Sequence, residues 1–187
     1  MDNLLKLINT LGKHLEEEIT IRQLSIESKV PYTTAHRVIL ENKDIFIINQ
    51  KGNIKLCSLN KEDDIVQSYL IISEKKQANE FLKRNEFFSI LQNSLPKGDY
   101  SLILFGSRAE GKERSKSDVD ICVINSTGKK DIDFSKFELL YKLEVNALFF
   151  SKKEFLAMKQ EDNHNIFDEI VKKHIILHGE KYFWEVV

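Results

Sequence analysis

Along the first sixty residues, Leu4, Leu5, Ile8, Leu11 and Leu15 recur at three- and four-residue steps, the spacing that lines one face of an α-helix. Thr20 stands before the apolar-periodic run IRQLSIESKV, where its hydroxyl can cap a second, short helix with Leu24 turned inward. Pro31 then fits the first turn of a third helix, PYTTAHRVILEN, because its locked φ suits that position and its missing N–H has no partner to lose there. Two β-rich stretches follow, IFII and NIKLCSL, with Asn49, Gln50, Lys51 and Gly52 between them as turn chemistry. Residues 1–60 therefore read as three helices and a hairpin.

From 61 to 97, Ile65, Tyr69, Ile72, Phe81, Phe88 and Leu91 keep near-helical steps opposite a strongly charged side, which predicts one long or one broken connecting helix. Beyond residue 98 the period switches back and forth. YSLILF, DVDICVI and LEVNALFF read as strands, whereas FSKFELLYK, KKEFLAMKQ and IFDEIVKKHIILHG read as helices. Interleaved strands and helices predict a mixed α/β domain over residues 98–187, so the chain as a whole belongs to the α+β class.

Composition narrows the setting. Apolar residues make up 42% of the 187, enough to build cores, and no run reaches the roughly 18 to 20 apolar residues that span a bilayer. The N-terminus breaks into charge before a signal-type core can form, so a cytoplasmic protein without a membrane partner is expected. Cys57 and Cys122 lack any paired or metal-type spacing and read as buried hydrophobes of a reducing compartment.

The chemistry concentrates in LILFGSRAEGKERSKSDVDICVI. Asp118 and Asp120 open an apolar strand two residues apart, so both carboxylates face one side while Val119 and Ile121 face the core. Such a pair repels itself unless a cation lies between, and magnesium prefers carboxylate and phosphate oxygens. Gly106 lets backbone approach a ligand, Ser107 adds a hydroxyl, and a helical turn begun by SRAEG would turn free N–H groups toward an anion. Arg108 is a candidate for phosphate neutralisation, whereas Lys112, Arg114 and Lys116 read as solvated loop cations.

Gly106-Ser107, ten intervening residues and then Asp118-Val119-Asp120 resemble the signature of polymerase β-type nucleotidyltransferases, in particular their minimal branch. The resemblance covers about the C-terminal half. It implies that Gly106 and Ser107 hold the triphosphate of ATP, with Arg108 beside them, and that Asp118 and Asp120 bind two Mg²⁺ ions. It also implies a third carboxylate on a neighbouring strand, a metal ligand and base toward an acceptor hydroxyl. Glu144 is the candidate, with Asn146 as the other residue that could occupy the place. Small relatives of this kind include antitoxins that adenylylate a partner toxin, which makes a protein acceptor attractive.

The N-terminal order resembles the winged helix-turn-helix of prokaryotic regulators. In that arrangement Tyr32, Thr33, Thr34, His36 and Arg37 are the candidates for base readout, with Lys29 and Lys51 for DNA phosphates. Residues 1–60 hold eight Lys or Arg against seven Asp or Glu, which leaves twenty against twenty-two for the remainder of the 28 and 29. Within residues 21–55 the cations are Arg22, Lys29, Arg37, Lys43, Lys51 and Lys55, which gives the third helix and wing a modest cationic stripe, and Glu16, Glu17 and Glu18 precede that stretch. Two further features read as structural: His174 and His178, four apart on one predicted helix, as capping or surface groups rather than a metal pair, and Phe183 and Trp184 as core rather than base-stacking.

Two functions follow as expectations. One is Mg²⁺-dependent transfer of a nucleoside monophosphate, AMP from ATP, to a hydroxyl acceptor such as a partner toxin. The other is a transcriptional regulator that senses a nucleotide without turnover. The expected partners are a nucleoside triphosphate, DNA, a protein acceptor and a second copy of the chain.

Overall fold

The computed structural model describes residues 1–15, 17–114, 117–159 and 165–187, and divides into two compact units, Met1–Lys76 and Gln77–Val187. The expected Lys116 and Glu16 and the end of KKEFLAMKQ lie outside the described residues.

In the first unit, α1 (Asn3–Gly12) starts where the Asp2 carboxylate accepts the Leu5 N–H at 2.9 Å, and it buries Leu5, Leu7, Ile8 and Leu11. A two-residue strand, β1 (Ile19–Thr20), leads into α2 (Ile21–Ser28), whose first turn is capped as expected: the Thr20 hydroxyl accepts the Gln23 N–H at 3.0 Å. Lys29 at φ +55 reverses the chain into α3 (Tyr32–Glu41), and β2 (Phe46–Lys51) and β3 (Ile54–Leu59) complete an antiparallel sheet of order β1-β3-β2. The hairpin is tighter than its composition implied. Asn49, Gln50 and Lys51 stay in the ladder down to the Lys51–Ile54 pair, and the loop is Gly52 and Asn53 alone, with Gly52 at φ +62. A glycine in that conformation closes a two-residue turn that polar residues upstream need not form. The last helix, α4 (Asp64–Leu82), runs across the division between the units. Within the first unit its buried Glu74 accepts from the buried Asn9 amide at 2.8 Å.

The connecting helix is broken, since α5 (Glu86–Ser94) starts anew four residues after α4. The second unit continues with β4 (Ser101–Phe105), α6 (Gly106–Ala109), β5 (Val119–Asn125), α7 (Ser135–Tyr141), β6 (Val145–Ser151), α8 (Lys152–Met158), α9 (Ile166–Lys172), β7 (Ile175–His178) and α10 (Glu180–Trp184). Its sheet has the order β6-β5-β4-β7, parallel only between β5 and β6. One face carries Leu102, Leu104, Val119, Ile121 and Val123 into a core with Phe88, Leu91, Phe134 and Phe137. Leu143, Val145, Ala147 and Phe149 pack against that core, the face that period two assigns them.

The helical reading of IFDEIVKKHIILHG fails at its second half. The chain leaves α9 at Lys172, and Ile175–His178 is a strand paired with β4. The β-branched Ile175 and Ile176 fill the buried sheet better than a helix end. His174 and His178 therefore share no helix. His174 Nδ1 lies 2.8 and 2.9 Å from the Ile170 and Val171 carbonyls that α9 leaves open, a capping role. Phe183 and Trp184 are buried, as core packing requires. Cys57 and Cys122 are buried free thiols, and burial pushes Cys57 up to about 12 and raises Cys122 as well. Among the described residues no helix is long and apolar enough to cross a membrane.

Candidate functional site

Strand β4 ends at Phe105, directly opposite Asp120 in the antiparallel ladder, and the chain turns there through Gly106 at φ +68. A Cβ at Gly106 would press on the Asp120 carboxylate, 3.2 Å from its Cγ, and φ +68 strains any other residue, so glycine suits the turn that closes over that side chain. The expected helical turn forms at Gly106–Ala109 and runs on into the loop through Glu110 N–H to the Gly106 carbonyl and Lys112 N–H to the Ser107 carbonyl. Ser107 is half-buried in it.

Asp118 is exposed and Asp120 half-buried on the sheet face away from Val119 and Ile121. The neighbour on that face is set by the parallel register, which pairs Asp120 with Asn146. The Asn146 amide donates to Asp120 Oδ1 at 3.3 Å and to Asp118 Oδ2 at 3.5 Å. Of the two candidates for the third place, the register thus brings Asn146 beside the pair. Glu144 stands one position before β6, exposed, with its carbonyl accepting the Val119 N–H at 2.8 Å, and so flanks Asp118 at the open end of the strands. Among the described residues no three His, Cys, Asp or Glu side chains come together as a metal cage. The donor set does fit one hard divalent cation shared with phosphate oxygens and water: two carboxylates on one face, beside an exposed amide that can present its oxygen.

Arg108 is placed differently from the expectation. It is buried at 7% exposure, and its Nε donates to the Ser117 and Asp118 carbonyls at 3.1 and 3.0 Å while Nη2 also donates to Ser117. Its guanidinium carbon lies 5.7 Å from the centre of the Phe87 ring. With these donors committed to backbone, Arg108 fastens the loop that delivers Asp118 instead of reaching outward to a phosphate. Phe87 and Ser117 belong to this support, and no spacing in the sequence announces them. Lys112 is ion-paired with Glu110 at 2.6 Å, and Glu110 also meets Lys173 at 2.8 Å. A cleft of about 300 Å³ is lined by Asn146 and its β6 neighbours Val145, Ala147 and Leu148 together with Lys130, Asp133, Ser135 and Glu138, and neither Asp118 nor Asp120 lines it.

In the first unit, Tyr32, Thr33 and Arg37 are exposed on α3, and the His36 ring sits 6.1 Å from that of Tyr32. Thr34 is half-buried and Lys29 exposed. Lys51 is not free for phosphate as expected: its ammonium lies 3.1 Å from Glu18. Hydrogen bonds from Asn49 and Lys51 hold the Glu18 carboxyl below the usual carboxylate range. The Lys51 side chain is 71% exposed, so the pair adds little stability.

Residues 100–182 match the family model described as Polymerase beta, Nucleotidyltransferase. The matched stretch runs from the residue before β4 into α10 and contains Gly106, Ser107, Asp118, Asp120 and Asn146. It supports a nucleotidyltransferase domain in the C-terminal unit, and with it an enzyme of the transferase type acting by nucleotidyl transfer in general. The four-stranded mixed sheet with flanking helices is consistent with that fold. No curated protein and no solved structure matches the chain.

Proposed function

We propose that the chain transfers a nucleoside monophosphate, AMP from ATP, to a hydroxyl acceptor. The observation that carries the reading is Gly106 closing directly over Asp120, with Asp118 on the same face: a glycine turn set against two carboxylates. Magnesium held by Asp118 and Asp120 would supply charge neutralisation at the phosphates and make the acceptor hydroxyl more acidic. The Gly106-Ser107 turn holds the triphosphate chain, Arg108 fixes the Asp118 backbone, and Asn146 aligns both carboxylates. Glu144, the carboxylate flanking Asp118, takes the proton of the acceptor hydroxyl. The contribution of these groups is positioning and charge, the main demands of phosphoryl chemistry.

The acceptor we favour is a protein encoded beside this one, such as a toxin, with both acting in the cytoplasm. We also read the first unit as a winged helix-turn-helix that binds DNA through α3. Support comes from its order α1-β1-α2-α3-β2-β3, the β1–β3 pairing and the exposed Tyr32, Thr33 and Arg37.

One observation favours a second reading. Asn146, not a carboxylate, stands in register with Asp120, so the site can bind a nucleotide and signal through it without turnover. Incubating the full chain with magnesium, ATP labelled at the α-phosphate and the products of neighbouring genes separates the two. Transfer predicts label on a macromolecule together with released pyrophosphate. Retained nucleotide without pyrophosphate supports the sensing regulator.

A further inference from the structure

The two edges of the second unit's sheet are treated unequally. At β7, side-chain amides cover the edge: Gln92 donates to the Leu177 carbonyl at 2.6 Å and Gln77 to that of His174 at 3.4 Å. At β6 the covering is incomplete. Because Val119 N–H donates to the Glu144 carbonyl, the even-numbered residues of β6 turn their backbone groups toward β5 and the odd-numbered ones turn theirs outward. Of the outward N–H groups, that of Val145 donates to Glu138 at 2.9 Å and that of Ser151 to Glu154 at 2.8 Å. Those two caps bracket Ala147 and Phe149, whose outward N–H and C=O groups meet no partner among the described residues.

These four groups, with the outward Val145 carbonyl beside them, leave an open edge that is a template for another strand. We infer that it pairs with β6 of a second copy, antiparallel about a two-fold axis at Leu148. The open groups select that register. Centred on Leu148, Ala147 of each copy exchanges both hydrogen bonds with Phe149 of the other, and the N–H and C=O of both residues are used. Centring on Ala147 would set the capped Val145 against Phe149, and centring on Phe149 would set the capped Ser151 against Ala147. The Leu148 register also sets Glu144 of one copy, just before β6, opposite Lys152 of the other, just after it, twice by symmetry. Lys152 opens α8, and its ammonium lies over the Tyr182 ring at 4.0 Å and 3.8 Å from Glu185 of the same copy, an exposed and therefore weak pair that the partner's Glu144 would join. Leu148, itself 37% exposed, covers its own copy across the axis. The interface would extend the sheet to eight strands and bring a partner lysine beside Glu144, at the margin of the carboxylate site.

Sedimentation equilibrium of the full chain tests this, and the prediction is a dimer at micromolar concentration. A residue pair on the axis is not hydrogen-bonded and its Cα atoms lie about 4.5 Å apart, within disulfide reach. Leu148→Cys should therefore cross-link to itself on mild oxidation. Asn146→Cys should not, because the register holds its two copies on the order of 13 Å apart. Glu144→Lys and Lys152→Glu should each weaken the dimer at least tenfold, and the double exchange should restore it. Ala147→Pro, which removes one outward N–H, should give a monomer with an unchanged circular dichroism spectrum. A chain that is monomeric at 100 µM (about a hundredfold above that range), a Leu148→Cys protein that stays uncross-linked, or a charge exchange that fails to rescue would each overturn the inference. None of these outcomes depends on nucleotide binding, so the interface and the proposed activity stand or fall separately.

Discussion

Asn146 is the residue that the β5–β6 register sets beside the carboxylate pair. Its amide now bridges Asp118 and Asp120, where a third carboxylate would add charge and need a cation to hold it. Asn146→Asp should therefore make the protein more dependent on magnesium. Its melting temperature should fall in EDTA and rise with Mg²⁺ by more than that of the parent, as read by thermal melts in both conditions, with faster nucleotidyl transfer. Equal magnesium shifts in the two proteins would contradict the geometry. The cysteines give a second test at this scale. Burial raises the Cys57 thiol to about 12, so its contribution to stability is complete below the ordinary thiol range and is lost progressively as pH rises toward 12. A thiol-specific reagent at pH 8 should label neither Cys57 nor Cys122 in the native protein and both after denaturation. Much of the site could be read from the sequence here: period two alone sets Asp118 and Asp120 on one face, and the choice of Gly at 106 signals close approach. Arg108 could not, since whether a cation turns outward to a ligand or inward to carbonyls depends on the Ser117 loop, which lies nine residues away in sequence but within 3.1 Å of its Nε in space.

Elements were legible wherever local chemistry decides them. Thr20 announces α2 because a hydroxyl at that place answers an N–H that the helix leaves open, and Thr20→Ala should cost about 1 kcal/mol in denaturant unfolding of the full chain. A cost near zero would mean that another group caps α2. The start of α8 rests on a reciprocal pair, with Ser151 accepting from Glu154 N–H and the Glu154 carboxylate accepting from Ser151, whose hydrogen bonds hold that carboxyl below its usual range. Elements decided at long range were not legible. IIL in β7 has the same apolar run as a buried helix end, and only pairing with β4 makes it a strand. The two-residue strand β1 exists solely because Ile19 and Thr20 meet Cys57 and Leu56. The choice between Glu144 and Asn146 was of this kind as well, since alternation puts both on one face and only the β5–β6 register says which stands beside Asp120.

At the scale of the molecule, the near balance of 28 cations and 29 anions conceals two units with different demands. The first carries Lys29, Arg37 and Lys51 on a unit whose exposed α3 we read as a DNA reader, and the second gathers Asp118, Asp120 and Glu144 at one end of its sheet. If that reading holds, the chain shifts fragments of its own upstream DNA, the shift weakens as salt rises, and Arg37→Ala abolishes it in an electrophoretic assay. An unchanged shift by the variant would remove α3 from the interface. Isothermal titration of the full chain with ATP, in magnesium and in EDTA, tests the magnesium-nucleotide site itself. The expected result is saturable binding that requires magnesium and disappears when Asp118→Ala and Asp120→Ala are combined in a protein that still melts cooperatively. No binding by the parent chain, or binding that survives the double substitution, would contradict it.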